Sequence, residues 1–473
     1  MNFHDTVIFV LEALVVIGCI LMGTRKSGVG VGLWGGLGVF VLVFIFREPP
    51  GEPPAGAIAI ILAVVTAAAM MQAAGGIDWM VMVAARIIES RPKQITLIAP
   101  LTAFLFSVGA GTSNILYPLL PVIYDVSYRN GIRPSRPMSV SVVQSGVALA
   151  ASPVSAAMAA MLTLTDTAPY NFGLTEILAI TFPSCVIGII VTSLVVSHMG
   201  PELADDPEVQ ERIRAGLLAP VPSTVSDAAV VVPAGTAGSG AAATDATPAS
   251  ARLTATVQGR NSAIAFLSGV LLIVVLGLFP DLRPAFDSGE GAVVLDMTST
   301  IVMVMFGVGV AILFLGRPSV QTVPDQTVFK AGMVSAIALF GIAWLTSTFI
   351  SANEKVIVDT VGGWVNDYKF VFALAVFIVA ALTTSQSTAT RTMVPIGLAA
   401  GLAPGLLTGM WAGAIGGVYT LPTGGPQIAG ANFDLSGTTK LGTKLVDHSY
   451  FIPMLVLSGT TVAVGAVIGA VFF

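Results

Sequence analysis

Four polar strings interrupt apolar stretches of this 473-residue chain, and each carries residues suited to holding a small anion. The first, GAGTSN, sets Gly109, Gly111, Thr112, Ser113 and Asn114 between two apolar arms. The second, QSGVALAASPVSAA, puts Ser152, Pro153 and Ser155 in the middle of a run otherwise long enough to cross a membrane. TTSQSTATR then brings Ser385, Gln386, Ser387, Thr388 and Arg391, and YTLPTGGPQ brings Thr420, Pro422, Thr423, Gly424, Gly425 and Gln427. Irregular backbone at membrane depth is tolerated only where protein or a wet cavity satisfies its polar groups. Where a broken helix restarts, unpaired N–H groups carry the positive end of its dipole, and carboxylates bind there. Carbonyls at the opposing half-helix ends suit Na⁺, so a coupling Na⁺ or H⁺ fits the same geometry. No resident cofactor or metal is indicated.

Arg391 sharpens the anion reading. A guanidinium in a membrane segment is costly unless it has a partner or a functional anion, and it grips a carboxylate bidentately. The alternative is that it snorkels to the surface or pairs with a structural acid. Glu12, in the first apolar run, reads as a side chain reaching the interface rather than a proton relay. Asp78, Trp79, Arg86 and Glu89 share an amphipathic stretch that marks an interfacial helix. The glycine-rich GVGVGLWGGLG at 28–38 has neither a preceding strand nor a following Lys-Ser/Thr, so close helix packing is its expected use.

Enzymatic readings fare poorly. His4, His198 and His448 are isolated, without the paired spacing of an intramembrane metalloprotease. No His or Lys lies near Ser113, Ser152 or Ser387 in sequence, which leaves an intramembrane serine hydrolase a weak alternative. A channel would show rings of charge, which are not evident. Cys19 and Cys185 fall in apolar runs and suggest neither a disulfide framework nor a zinc site. A net charge of −5 without a basic face argues against nucleic acid as a partner.

These strings need a membrane to sit in, and composition supplies one. Hydrophobic residues make up 55% of the chain and charged residues 10%, with a mean hydropathy of +0.89. Apolar runs near the ~20 residues that span a bilayer recur without the alternation of a barrel. The expected architecture is therefore an all-α polytopic membrane protein in the lipid bilayer. The first run lacks a basic leader and reads as an uncleaved span.

Residues 199–260 break the pattern, with a short amphipathic helix followed by an Ala/Pro/Ser-rich segment, a cytoplasmic linker between membrane repeats at 1–198 and 261–473. Both halves show the same order: three spans, an amphipathic stretch, an interrupted pair (95–128 and 370–402), a second interrupted segment (138–165 and 405–432), and a final span. If each interrupted pair is a re-entrant hairpin, each half crosses five times and the halves are inverted. That gives ten spans, two hairpins and both termini in the periplasm. Of the 21 Lys and Arg residues this places sixteen inside and four outside (Arg47, Arg283, Lys355 and Lys369), with Arg391 in the membrane. Broken helices meeting near the midplane of inverted repeats are the arrangement of a secondary transporter.

The whole chain resembles the anaerobic C4-dicarboxylate transporter (Dcu) family. The resemblance rests on AAGGID at 73–78, GAGTSNILYPLLPVIYDVSYRNGIRPSRPMSVSVV at 109–143, ASPVSAA at 151–157 and ADDP at 204–207. AGM and GIAWL within 331–345, SQSTATRTMVP at 385–395, LPT at 421–423 and GTTKLG at 437–442 complete it. The resemblance implies exchange of fumarate, succinate, malate and aspartate across the bacterial inner membrane, commonly in support of fumarate respiration. It also implies an elevator-type transporter whose hairpin-bearing domains move against a homodimeric scaffold. The Ala/Pro/Ser-rich stretch at 219–251 departs from the shorter, more charged connection of the family. A cation-coupled dicarboxylate symporter remains the main alternative.

Overall fold

A computed structural model describes residues 3–26, 29–166, 169–221, 255–287, 292–442 and 447–473. The linker stretch 222–251 lies outside the described residues, as do Arg252 and Lys444, two of the basic residues assigned to the inner side.

The described residues are mostly helical. The first half comprises α1 (Phe3–Lys26), α2 (Val29–Phe44), α3 (Ala55–Ala73), α4 (Gly76–Ser90), α5 (Ile95–Ala110), α6 (Leu116–Arg129), α7 (Ser135–Ala148), α8 (Ala156–Thr165) and α9 (Leu174–Val196). A short helix α10 (Pro207–Arg214) follows. The second half begins with α11 (Val257–Leu278) and a small antiparallel ribbon of β1 (Ala285–Asp287) and β2 (Ala292–Val294). It continues through α12 (Met297–Leu315), α13 (Thr327–Asp367), α14 (Val371–Thr383), α15 (Gln386–Ala399), α16 (Pro404–Ala414), α17 (Gly425–Phe433) and α18 (Phe451–Phe472).

Eight helical segments among the described residues are long and apolar enough to cross a membrane. They do not map one for one onto the ten expected spans. The apolar parts of α1 and α2, Val7–Gly23 and Val29–Phe44, are shorter, and α16 and α17 have only 11 and 9 residues, because a 3-10 turn and the Leu421–Gly424 string part them. Conversely Pro92–Ala110, expected as one arm of a hairpin, is itself of spanning length. The third span of the second half and the amphipathic stretch after it form the single helix α13, bent where Asn353 leaves helical geometry.

Glycine sets how closely the helices approach. Residues 29–38 of the glycine-rich stretch lie in α2 and cross α13 backbone to backbone: a Cβ on Gly341 would fall 1.9 Å from the Gly32 carbonyl oxygen, and one on Gly35 would fall 2.3 Å from the Gly341 carbonyl carbon. Helices that gain no hydrophobic drive from lipid associate by such close van der Waals contact. Together α1, α2 and part of α13 bury their own apolar cluster around Val16, Cys19, Val39, Leu42 and Leu345, apart from the main core that the two halves share. Helix α4 turns Met80, Val81, Ala84, Ala85 and Ile88 inward at helical spacing, as its amphipathic pattern predicts.

Glu12 is 1% exposed, and its Oε2 accepts a hydrogen bond of 2.6 Å from Asn353 Nδ2 at the bend of α13. A carboxylate kept from water needs such a donor, and the bend supplies one.

Candidate functional site

Two helical pairs, α5–α6 and α14–α15, turn sharply at the polar strings. In the first, α5 ends at Ala110 and Gly111 reverses the chain at φ 67°. The Thr112 hydroxyl then accepts the Asn114 N–H at 3.2 Å and opens a 3-10 turn, Ser113–Ile115, leading into α6. In the second, Thr384 turns the chain at φ 48°, and the Ser385 hydroxyl accepts the Thr388 N–H at 3.2 Å and its hydroxyl at 2.9 Å, capping α15. Between α7 and α8 the break is held from both sides. Ser152 donates to the Val108 carbonyl at 2.7 Å, and Ser155 donates to the Leu149 carbonyl at 2.6 Å while accepting the Met158 N–H at 3.0 Å.

These starts converge on one cavity of about 190 Å³. Thr112 and Ser113 from the first turn, Ser155 from the broken helix, and Ser385, Gln386 and Ser387 from the second turn all line it. Its remaining wall is α3 together with Ala331, Gly332 and Ser335 of α13. Each cap satisfies only part of the first helical turn, so N–H groups at the starts of α8 and α15 stay available to an anion. Gln386 also reaches the Ser145 carbonyl at 3.4 Å, tying the second turn to α7.

Other residues singled out by sequence lie elsewhere. Asn114 and Thr388 cap or follow the turns without lining the cavity, Gly109 packs toward Leu267, and Ser152 and Pro153 are buried in the break. Thr420 and Thr423 do not line it. The Thr420 hydroxyl donates to the Gly417 carbonyl at 2.7 Å, and Thr423 is exposed beside Pro422. That break is closed by protein alone, since Gly424 N–H donates to Gln427 Oε1 at 3.0 Å and Gly425 packs against the Tyr117 hydroxyl. Polar strings mark both breaks, but only the first turns its restart toward the cavity.

Arg391 is 2% exposed and neither snorkels nor pairs with an acid among the described residues. Its Nη1 donates to the Ser335 carbonyl at 3.3 Å, while Nε and Nη2 have no partner among the described residues. It lines a second cavity of about 170 Å³ and not the first.

Residues 8–473 match the family described as anaerobic C4-dicarboxylate membrane transporters. The chain belongs to that family. It is 32% identical over 472 residues to the anaerobic C4-dicarboxylate transporter DcuB of Shigella flexneri, covering 98% of each chain. It is 30% identical over 462 residues to the C4-dicarboxylate transporter DcuA of Escherichia coli, covering 98% of this chain and 99% of that one. A solved structure, the YdaH transporter of Alcanivorax borkumensis, whose topology is described as unusual, superposes with a TM-score of 0.50 at 14% identity, covering 99% of this chain and 98% of that one. That likeness concerns the fold alone. As a member of this family, the chain is a multi-pass membrane transporter and not an enzyme.

Sequence reasoning missed the α13 wall. Ala331, Gly332 and Ser335 sit in an apolar helix whose small residues recur on one face, a pattern that was visible but reads equally as helix packing.

Proposed function

We propose that this transporter exchanges C4-dicarboxylates, among them fumarate, succinate, malate and aspartate, across the bacterial inner membrane, and that the substrate sits in the cavity between the two turns. The observation that carries this reading is the convergence of both turns and the α8 start on one cavity. Hydroxyls of Thr112, Ser113, Ser385 and Ser387 and the amide of Gln386 offer hydrogen bonds. The helix starts offer partial positive charge, and Arg391 a full one close by. A dianion therefore finds complementary field without a bound metal.

Alternating access follows from the same parts. The two halves repeat one order of helices, and the inverted-repeat reading of that order gives both termini to the periplasm. The turns and broken helices then carry the substrate as one body, elevator-fashion, against a homodimeric scaffold built from the first spans of each half. The separate apolar cluster of α1, α2 and part of α13 sets the first two spans of the first half apart from the main core.

Counterflow in proteoliposomes tests the reading. Labelled fumarate or aspartate should accumulate only when the lumen holds an unlabelled dicarboxylate, and labelled lactate should not enter. Uptake driven by a Na⁺ or pH gradient without trans-stimulation would replace exchange with cation-coupled symport.

A further inference from the structure

The cavity between the turns draws its polar lining unevenly. Helix α3 presents Ile60, Ile61, Val64, Val65 and Ala68 to it, all apolar. Helix α13 presents Val328, Ala331, Gly332 and Ser335, spaced i, i+3, i+4 and i+7 along one helical face. The two helices close tightly on each other, since a Cβ on Gly332 would fall 2.3 Å from Val65 Cγ2. Among the described residues, Ser335 is thus the one polar side chain that α3 and α13 bring to this cavity.

Its hydroxyl is also uncommitted. A serine or threonine inside a helix commonly donates to the carbonyl one turn back. Thr66 does so to Leu62 at 2.7 Å in α3, and Thr346 to Ile342 at 2.9 Å in α13. Ser335 is half-buried and makes no such bond. Among the described residues the one side chain bonded to it is Arg391, whose Nη1 reaches its backbone carbonyl at 3.3 Å. That bond ties α13 to α15 at this point of the wall and leaves the Ser335 hydroxyl to the cavity that it lines.

We propose that Ser335 reads the substituent on the second carbon of the diacid: its hydroxyl binds the hydroxyl of malate or the ammonium of aspartate. The inference rests on the substrate reading above and names what separates substituted diacids from plain ones. The carboxylates go to the helix starts and hydroxyls of the turns, where the dipole field favours negative charge. The carbon chain between them is left to α3 and α13. Fumarate and succinate bring only C–H groups to that wall. A hydroxyl or ammonium there must find a partner or forfeit its hydrogen bonds to water, and Ser335 is the partner available. One hydrogen bond on one wall also distinguishes mirror images. With both carboxylates in place, the other enantiomer turns its substituent away from Ser335 or carries it on the other carbon.

The test is competition against the uptake of labelled fumarate by the full-length protein in proteoliposomes, with unlabelled succinate, the two enantiomers of malate, and aspartate as competitors. The wild-type chain should favour one malate enantiomer over the other by at least about fivefold, the worth of one hydrogen bond in a buried site. Ser335→Ala should weaken that enantiomer and aspartate about five- to tenfold, bring the two malates to within about twofold of each other, and leave succinate within about twofold of wild type. Retained fumarate uptake certifies the fold. Ser335→Cys, which keeps the volume but bonds weakly, should show the same loss and decides the matter if the alanine variant does not insert. Discrimination between the malates that survives both variants, or its absence from the wild-type chain, overturns the assignment. So does an equal loss of succinate and malate, which makes Ser335 part of the carboxylate site or a structural residue. Wild-type protein that takes up no fumarate, or whose uptake no diacid competes, sinks the substrate reading itself, and the role of Ser335 falls with it.

Discussion

Gly111 and Thr384 end the first arms of the two helical pairs in the same left-handed conformation, at φ 67° and φ 48°. The equivalence is geometric, and the residue types differ in what that geometry costs. A left-handed conformation costs a side chain about 1–2 kcal/mol, with β-branched residues among the least suited. Thr384 therefore holds strain where the second turn meets the cavity, as strained backbone often does at sites of function.

The pair makes opposite predictions. A Cβ on Gly111 would lie 2.7 Å from the Val154 carbonyl oxygen as well as adopt the costly φ. Gly111→Ala should lower the unfolding midpoint by several degrees, corresponding to about 2 kcal/mol or more. Thr384→Gly should leave the midpoint unchanged or raise it slightly, since relief of strain is offset by about 0.5–1 kcal/mol of added chain entropy. A fall with Thr384→Gly as large as with Gly111→Ala would show that the Thr384 side chain matters more than its backbone.

Thr112, Ser387 and Thr423 separate cavity residues from polar residues that only mark a break. Thr112→Val and Ser387→Ala each remove a hydroxyl from the cavity wall and should weaken dicarboxylate affinity about five- to tenfold, the worth of a hydrogen bond to a charged group. Thr423→Ala, at an exposed position, should change uptake by less than about twofold. Initial-rate uptake in proteoliposomes at several succinate concentrations distinguishes them, and a large loss with Thr423→Ala would restore the second break to the site.

How much of this was visible in the sequence depended on how local each signal is. Gly111, Ser155 and Ser385 were legible because turns and caps are written in a few consecutive residues. Ser335 was not, because a serine in an apolar helix gives no sign of which neighbour it faces. The partner of Glu12 was hidden for the same reason, since Asn353 lies 341 residues away. Thr420 and Thr423 show the converse limit: composition identifies a break but not the direction in which it opens. Arg391 was singled out correctly as an unusual charge, yet its cavity is defined by four helices from both halves and only their packing reveals it.

The α2–α13 crossing offers a stability test with an internal control. A Cβ on Gly341 meets backbone at 1.9 Å, which cannot be relieved by a side-chain rotation, whereas a Cβ on Gly36 meets nothing within 4 Å. Gly341→Ala should force the helices apart and cost about 1–3 kcal/mol, as overpacking does. Gly36→Ala should be neutral or mildly stabilising through helix propensity. Size-exclusion profiles and unfolding midpoints in detergent check both, and equal behaviour of the two variants would argue against this backbone contact.

Arg133 and Asp206 make a pH-dependent prediction away from the membrane spans. Asp206 caps α10, accepting the Glu208 N–H at 3.0 Å, and is joined by Arg133 from the turn before α7. Lys440 of the second half reaches Glu208 on the same helix at 2.6 Å, so α10 links segments from both halves. Burial acts to raise the Asp206 carboxyl, but the hydrogen bond and charge of Arg133, with two backbone N–H groups, outweigh it and hold the group below its ordinary value of 3.8. For an acid lowered in the folded state, the stabilisation is present above the ordinary value and is lost as pH falls through the lowered one. Hydrogen exchange of the α10 amides, corrected for intrinsic rate, should therefore show constant protection from pH 7 to about 5 and a decline below about pH 4. Arg133→Gln removes the main lowering influence and leaves burial, so protection should drop about tenfold at neutral pH and its decline should begin at higher pH. A profile unmoved by Arg133→Gln would mean that α10 is held by its apolar contacts, Leu203 and Val209 against Tyr128, and not by this ion pair.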